Sequence, residues 1–338
     1  MTEDHSAIET NSRSRTALSE PLPKQATISV VVCAYTEARW GDLCDTIASL
    51  LAQTHRPDET ILVIDNNDSL FARASAHFTT ITVVVNRFGR GLSGARNTGI
   101  EESSGALVAF IDDDATLEPD VIACLVEASQ MPGVLGASAY IIPEWVGDRP
   151  SWFPDEYLWT VGCTHEPSSG QVRDVRNVTG AACIFRRRVF SECGTFCEIL
   201  GRGKSSVPVS CEETEICLRA RLRFEGETFV RDERALVYHK VPAMRLSWRY
   251  FLLRCYAEGL SKGRLRNMLP SGAHLGTERS YIMHGLLPAL SRALWTGFFR
   301  LEASSLARSS AIVLGLGAAA VGYAGSRFSS AFGTTATP

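Results

Sequence analysis

The chain has 338 residues, 45% hydrophobic and 21% charged, a composition that fits a folded protein with a substantial core and excludes a disordered one. Its formal net charge of −3 gives no electrostatic basis for binding nucleic acid. Ten cysteines are scattered, mostly in apolar runs and never at C-x-x-C spacing, so they read as buried thiols of a reduced, cytoplasmic protein.

Residues 1–26 are polar, lack the apolar stretch of a signal peptide, and read as a flexible arm. The β-branched run 28–34 predicts a strand covered on both faces. Apolar positions 43, 44, 47, 50 and 51 then follow helical spacing. Strands are expected at 60–64, 81–85 and 106–111, with a helix from about Ser93 after a glycine-rich turn. This alternation gives an α/β fold with a mostly parallel sheet wrapped by helices. In such sheets ligands bind at the carboxyl ends of the strands. Each run here ends in polar residues: Tyr35 to Glu37, Asp65 to Asn67, Asn86 to Arg90, and Asp112 to Asp114. Beyond residue 140 the pattern loosens, with a strand-like segment at 177–185, a helix near 187–193 and a clear helix over 212–223.

Three consecutive aspartates at a strand end repel one another unless something positive sits among them. Magnesium and manganese favour a few carboxylates plus phosphate oxygens, which suits a nucleotide diphosphate. In extended chain Asp112 and Asp114 point one way and Asp113 the other. One of the matched pair would then grip a ribose while its fellow holds the metal. An acidic turn starting a helix at 114–119 is the competing reading.

From here the sequence resembles glycosyltransferase family 2, with the GT-A fold, over roughly residues 27–260. The resemblance rests on an ordered series: VVVCAYTEARWGDLCDTIASLLAQT, VIDNNDS, NRFGRGLSGARNTGIEESSG, FIDDDATLEPD, RNVTGAACIFRRRVF, CEETEICLR and VYHKV. It implies that Ala34, Tyr35 and Glu37 line the base and ribose, that Asp65 contacts the base, and that Arg96 helps hold the nucleotide. Asp112 matches the ribose-binding first position of the D-x-D motif, with Asp113 beside it, and Asp114 the metal-binding last position. Glu213 stands where the family usually has its catalytic aspartate, which leaves the choice between Glu213 and Glu212 open. A carboxylate there would take the proton of the attacking hydroxyl. Acidic residues are also favoured at a helix N-terminus by its dipole. His239 is implied as a second ligand of the divalent metal, magnesium or manganese, and Arg249 or Arg254 as partners of the diphosphate. Gly180 would leave backbone room near the sugar, and Trp152 would stack on the acceptor or belong to the core.

The expected activity is inverting transfer of a sugar from a nucleotide-diphosphate sugar to a hydroxyl of a glycan or a lipid-linked acceptor. A sugar nucleotidyltransferase would carry a glycine- and arginine-rich loop after the first strand, where residues 34–42 hold a single glycine, Gly41. A non-catalytic binding subunit would lack the glutamate pair or the D-x-D. The expected organisation is a GT-A domain over 27–266, with a nucleotide half to 120 and an acceptor half from 121, followed by a hydrophobic helical tail over 267–338. Residues 309–326 carry no charge and suit either membrane attachment or helix packing through Gly315 and Ala319. The basic, aromatic helix at 245–266, with Trp248, Tyr250 and Phe251, would suit an anionic surface at the inner face of the cell membrane.

Overall fold

A computed structural model describes residues 26–200, 210–268 and 276–331. The arm expected over 1–26 lies outside the described residues except for Ala26. In chain order the first half comprises β1 (Ile28–Ala34), α1 (Trp40–Leu51), β2 (Glu59–Ile64), α2 (Asp68–His77), β3 (Thr82–Val85), α3 (Leu92–Glu102), β4 (Leu107–Asp112), β5 (Ala115–Leu117) and α4 (Val121–Gln130). The second half comprises β6 (Val134–Trp145), β7 (Val172–Val175), β8 (Ala182–Arg186), α5 (Arg188–Cys193), α6 (Glu212–Arg223), β9 (Thr228–Val241), α7 (Trp248–Met268), α8 (Gly276–Ser280), α9 (Leu287–Phe299) and α10 (Ala303–Ala331).

The strands form one sheet ordered β3-β2-β1-β4-β8-β6-β9-β5, with β7 on β9. Its first four members are parallel, as the strand–helix alternation requires. Beyond β4 it becomes mixed: β8 runs antiparallel to β4 and β6, while β6 and β9 are parallel. The long strand β6 escapes sequence reading because its apolar residues are broken by Pro143 and Glu144, and of β9 only the apolar stretch 235–238 before His239 reads as a strand, the charged run 231–234 hiding the rest.

The β-branched run of β1 explains its central place. Ile28, Val30 and Val32 face one core with Leu43, Ile47 and Leu50 of α1, while Val31 faces a second with Phe110, Phe185 and Ile216. Burying both faces is what a continuous apolar strand allows. The strand expected from residue 177 begins only at Ala182. The segment at 114–119 contains the short strand β5 (Ala115–Leu117), so the helix-start reading of that acidic turn is replaced by a sheet edge.

The expected basic helix is α7, but its aromatic side turns inward: Phe251 is buried and Trp248 stacks on Trp152. Helix α10 lies along α7 in very close contact. A Cβ at Gly259 would lie 1.9 Å from the carbonyl oxygen of Ala319, and one at Gly322 would lie 2.0 Å from that of Tyr256. Small residues thus let the two backbones touch, the packing role foreseen for Gly315 and Ala319. Leu286, Ala289, Ala311 and Ile312 join the main core cluster.

Candidate functional site

The carboxyl ends of β1, β2 and β4 open onto one cavity of about 1460 Å3. Its walls include Ala34, Tyr35, Asp65, Arg96, Asp112, Asp113 and Asp114 from the first half of the chain, and Gly180, Glu212, Glu213, His239 and Arg254 from the second. Three expected residues are elsewhere. Glu37 opens a 3-10 turn and faces Arg73 at 3.9 Å. Trp152 lies on Trp248, ring centroids 4.2 Å apart, and packs against Phe153 and Phe251, so its ring is engaged in an aromatic cluster and not in the cavity. Arg249 is exposed outside the cavity wall.

At the end of β2, Asp65 accepts hydrogen bonds from Asn86 Nδ2 (2.8 Å) and from the Gly91 amide (3.0 Å). It thereby fastens the glycine-rich loop to the strand while its side chain borders the cavity.

The aspartates are arranged by the sheet. Residues 113 and 114 form a turn between β4 and β5. Asp113 consequently does not point away from Asp114: both meet one Arg39 nitrogen at 2.8 Å, where strict strand alternation would separate them. The antiparallel pairing of Ala115 with His239 then brings the imidazole alongside, with His239 Nε2 3.1 Å from Asp114 Oδ1. Arg245 Nη2 is 3.4 Å from the other Asp114 oxygen. Burial opposes ionisation of Asp114, but His239, Arg39 and Arg245 outweigh it and hold the carboxyl well below its ordinary range. Asp113 goes the other way: burial, together with its two aspartate neighbours, overcomes Arg39 and raises its pKa.

Asp112, Asp114 and His239 each present a ligand atom, and those atoms lie within 4.8 Å of one another. Two carboxylate oxygens and an imidazole form a donor set that fits manganese or magnesium, with phosphate oxygens and water completing the shell. Buried polar atoms beside it, Asp113 Oδ2 and Arg245 Nη1, have no hydrogen-bond partner within the protein. Gly162, in the left-handed region at φ +86°, stands against the imidazole: a Cβ there would lie 3.0 Å from His239 Cε1.

Arg96 is the centre of the opposite wall. Expected as a nucleotide contact, it is a fully enclosed guanidinium between the rings of Phe110 and Phe196. It donates to Glu213 Oε1 at 2.7 Å and to the Gly180 carbonyl at 3.0 Å. The same group lies 3.5 Å from Asp112 and 3.8 Å from Glu212. One buried cation therefore ties the strand-end aspartate to the glutamate pair that opens α6. Glu213 is the more accessible of the two glutamates, with 15% of its side chain exposed against 4% for Glu212. The helix is entered through Cys211 at φ +81°, a conformation costly for a residue with a side chain and typical of over-determined functional turns.

Sequence reading missed Arg39, Arg245, Arg176 and Lys262, all placed in or against this cavity. The three aspartates alone signalled that cations had to be nearby, without indicating which. Among the described residues all ten cysteines are free, in line with a reduced set of thiols.

Residues 29–194 match the family model for glycosyl transferase family 2. A glucosyl-dolichyl phosphate glucuronosyltransferase of Haloferax volcanii is 35% identical over 250 residues, covering 73% of this chain and 79% of its own. Succinoglycan biosynthesis protein ExoM of Rhizobium meliloti is 27% identical over 256 residues, covering 70% and 74%. Among solved structures, the mannosyltransferase PcManGT of Pyrobaculum calidifontis, determined with GDP-Man and Mn2+, superposes with a TM-score of 0.60 at 16% identity over 92% of this chain and 91% of that one. The fold is accordingly GT-A, and the chain belongs to glycosyltransferase family 2, as a glycosyltransferase.

Proposed function

We propose that the protein transfers a sugar from a nucleotide-diphosphate sugar, with inversion at the anomeric carbon and with the help of a divalent cation, to a hydroxyl of a lipid-linked saccharide at the cytoplasmic face of a membrane. The observation that carries this reading is the single guanidinium of Arg96 joining Asp112 to Glu213 across one cavity. It puts a cation-binding carboxylate group and an accessible carboxylate on two sides of the space where a sugar would sit. A lipid-linked acceptor is supported by the Haloferax volcanii relative, whose name specifies a dolichyl phosphate. A divalent cation is supported by the donor set of Asp112, Asp114 and His239 and by the Mn2+ of PcManGT.

When bound, the cation would neutralise charge developing on the departing diphosphate. The remaining work falls to the protein. Arg39 and Arg245 supply further positive charge beside Asp114, and Tyr35 and Asp65 border the space for ribose and base. Arg96 fixes Glu213. Glu213 accepts the acceptor hydroxyl proton as that oxygen bonds to the anomeric carbon, and the bond from that carbon to the phosphate oxygen breaks in line. Burial of Glu212 against Arg96 suits it to holding the cation in place and leaves the proton transfer to Glu213.

Calorimetry with a panel of nucleotide-diphosphate sugars, in manganese, magnesium or chelator, tests the reading. One donor should bind with cation-dependent affinity, and Asp114→Ala should remove that dependence and turnover together. No cation-dependent affinity for any donor, or an unaffected Asp114→Ala variant, overturns it.

A further inference from the structure

Helix α10 has its polarity reversed. Apart from Ile312, the side packed on the catalytic domain carries small residues, with Ser305, Ser309, Ala311, Gly315, Gly322 and Ser326 all buried. The outward side carries Leu306, Val313, Leu314 and Val321, all exposed. A helix bordering water shows the opposite arrangement. The turn linking α9 to α10 extends the pattern. Trp295, Phe298 and Phe299 are 64%, 66% and 70% exposed, and Leu301, 88% exposed, sits in the left-handed region at φ +53°. A large aliphatic side chain held out to solvent in a costly backbone conformation has no explanation in packing.

A groove of about 280 Å3 runs between α9 and α10, lined only by aliphatic side chains, alanine and glycine, among them Leu287, Leu290, Val313 and Gly317. Leu286, Leu316 and Ala320 line both this groove and the main cavity, so the two lie side by side and share one wall. Residues 279–326, which carry this apolar face, hold four exposed arginines, Arg279, Arg292, Arg300 and Arg308, the second of them 3.5 Å from Glu156, against a single acidic residue of their own, Glu302.

We infer that the α9–α10 hairpin is a membrane dock: its aromatic tip and the outer side of α10 enter one leaflet, and the groove between the helices takes the hydrocarbon chain of the lipid-linked acceptor into the catalytic cavity. This rests on the transferase reading for the identity of the acceptor, though not for the docking itself. The excess of exposed arginine decides between occupants. It complements anionic head groups, and in a pairing of two copies it would set like charges against one another. The outer apolar side together with the backbone contact of α10 on α7 gives a helix lying along the surface, one side held by the protein and the other by lipid. Substrate and enzyme then meet in one plane, and the chain of the lipid need not cross water.

Two probes that require no turnover test this. In flotation with phosphatidylcholine–phosphatidylglycerol vesicles the full chain should float, and less so with phosphatidylcholine alone. The triple variant Trp295→Ser, Phe298→Ser, Phe299→Ser should lose at least about tenfold in partitioning, given the aromatic surface removed. Its far-ultraviolet spectrum and its calorimetric nucleotide-sugar affinity should stay unchanged. For the groove, farnesyl phosphate should bind the native protein, and Leu290→Trp should weaken that binding about tenfold or more while floating normally. A native chain that does not float, a triple variant that floats equally, or light scattering that finds a dimer which the triple variant abolishes overturns the dock. Absence of farnesyl phosphate binding, or binding unaffected by Leu290→Trp, overturns the groove. Loss of donor affinity in the native protein would instead sink the transferase reading and leave the vesicle result standing.

Discussion

Gly180 and Glu213 share one position in space: a Cβ on Gly180 would lie 1.8 Å from Glu213 Oε1 and 2.7 Å from its carboxyl carbon. The Gly180 carbonyl also accepts from Arg96, which donates to the same glutamate oxygen. Backbone carbonyl, glutamate carboxylate and guanidinium are thus locked as a triangle that only a residue without a side chain permits. Gly180→Ala should displace the Glu213 carboxylate by an ångström or more. A shift of that order in a reacting group lowers turnover about a hundredfold. Steady-state kinetics should show the loss in kcat, with donor affinity by calorimetry within about twofold of the native value.

The two glutamates separate by the same geometry. Glu213→Gln keeps shape and an acceptor oxygen for Arg96 but cannot take a proton, so kcat should fall about 100- to 10,000-fold while donor binding survives. Glu212→Gln should reduce turnover far less and lower the melting temperature more, since that side chain is the more buried member beside Arg96. Equal kinetic losses in the two variants would refute the assignment of the base to Glu213.

The strand ends were legible in the sequence because each parallel strand is an apolar run cut off by polar residues, and a parallel sheet gathers such ends on one edge. Asp65, Asp112 and Asp114 therefore reach one cavity. What could not be read was which cation meets which acid. Arg39 lies 75 residues from Asp114, Arg245 lies 131 from it, and Arg96 lies 117 from Glu213. The first pairing joins the ends of the neighbouring parallel strands β1 and β4, and the other two bring in the second half of the chain, whose long strands β6 and β9 leave no clean period of two. Trp152 illustrates a different limit. An aromatic residue near prolines looks the same in sequence whether it stacks on a sugar or, as here, on Trp248. Family likeness gave the expectation of backbone room at Gly180, and only the folded structure reveals that its missing side chain makes room for Glu213.

Arg96 also bears on stability. It is enclosed with Glu213, Asp112 and Glu212 around it, and burial, which alone would lower its pKa, is outweighed by these carboxylates, which raise it. Arg96→Met fills similar volume but strands three acidic groups without their cation. Breaking a buried charge network in this way costs about 3–5 kcal/mol. Urea unfolding should show the midpoint lowered by that free energy divided by the slope, with the slope itself unchanged. A shift near zero would mean that the network is solvated.

The linkage between tail and catalytic domain should be acid-sensitive through Glu278. This residue on α8 receives Lys262 of α7 at 2.5 Å and Arg176 at 2.6 Å, and its side chain is 25% exposed. Burial works against its ionisation, but Lys262 and Arg176 prevail and hold the carboxyl below its ordinary value of 4.5. A carboxyl lowered in the folded state adds stability that is fully present above the unfolded-state pKa and is lost as the pH falls through the folded-state one. The native protein should therefore lose stability progressively below about pH 4.5, and Glu278→Gln, already less stable at pH 7, should decline less steeply over that interval. The contribution is on the order of 1 kcal/mol, since the group is partly solvated. Thermal melts from pH 7 down to pH 3 on both proteins, at fixed ionic strength, measure it. Parallel curves for the two would show that the Glu278 bridge adds nothing in acid, and would leave the contact between α7 and α10 as the main tie holding the hairpin to the enzyme.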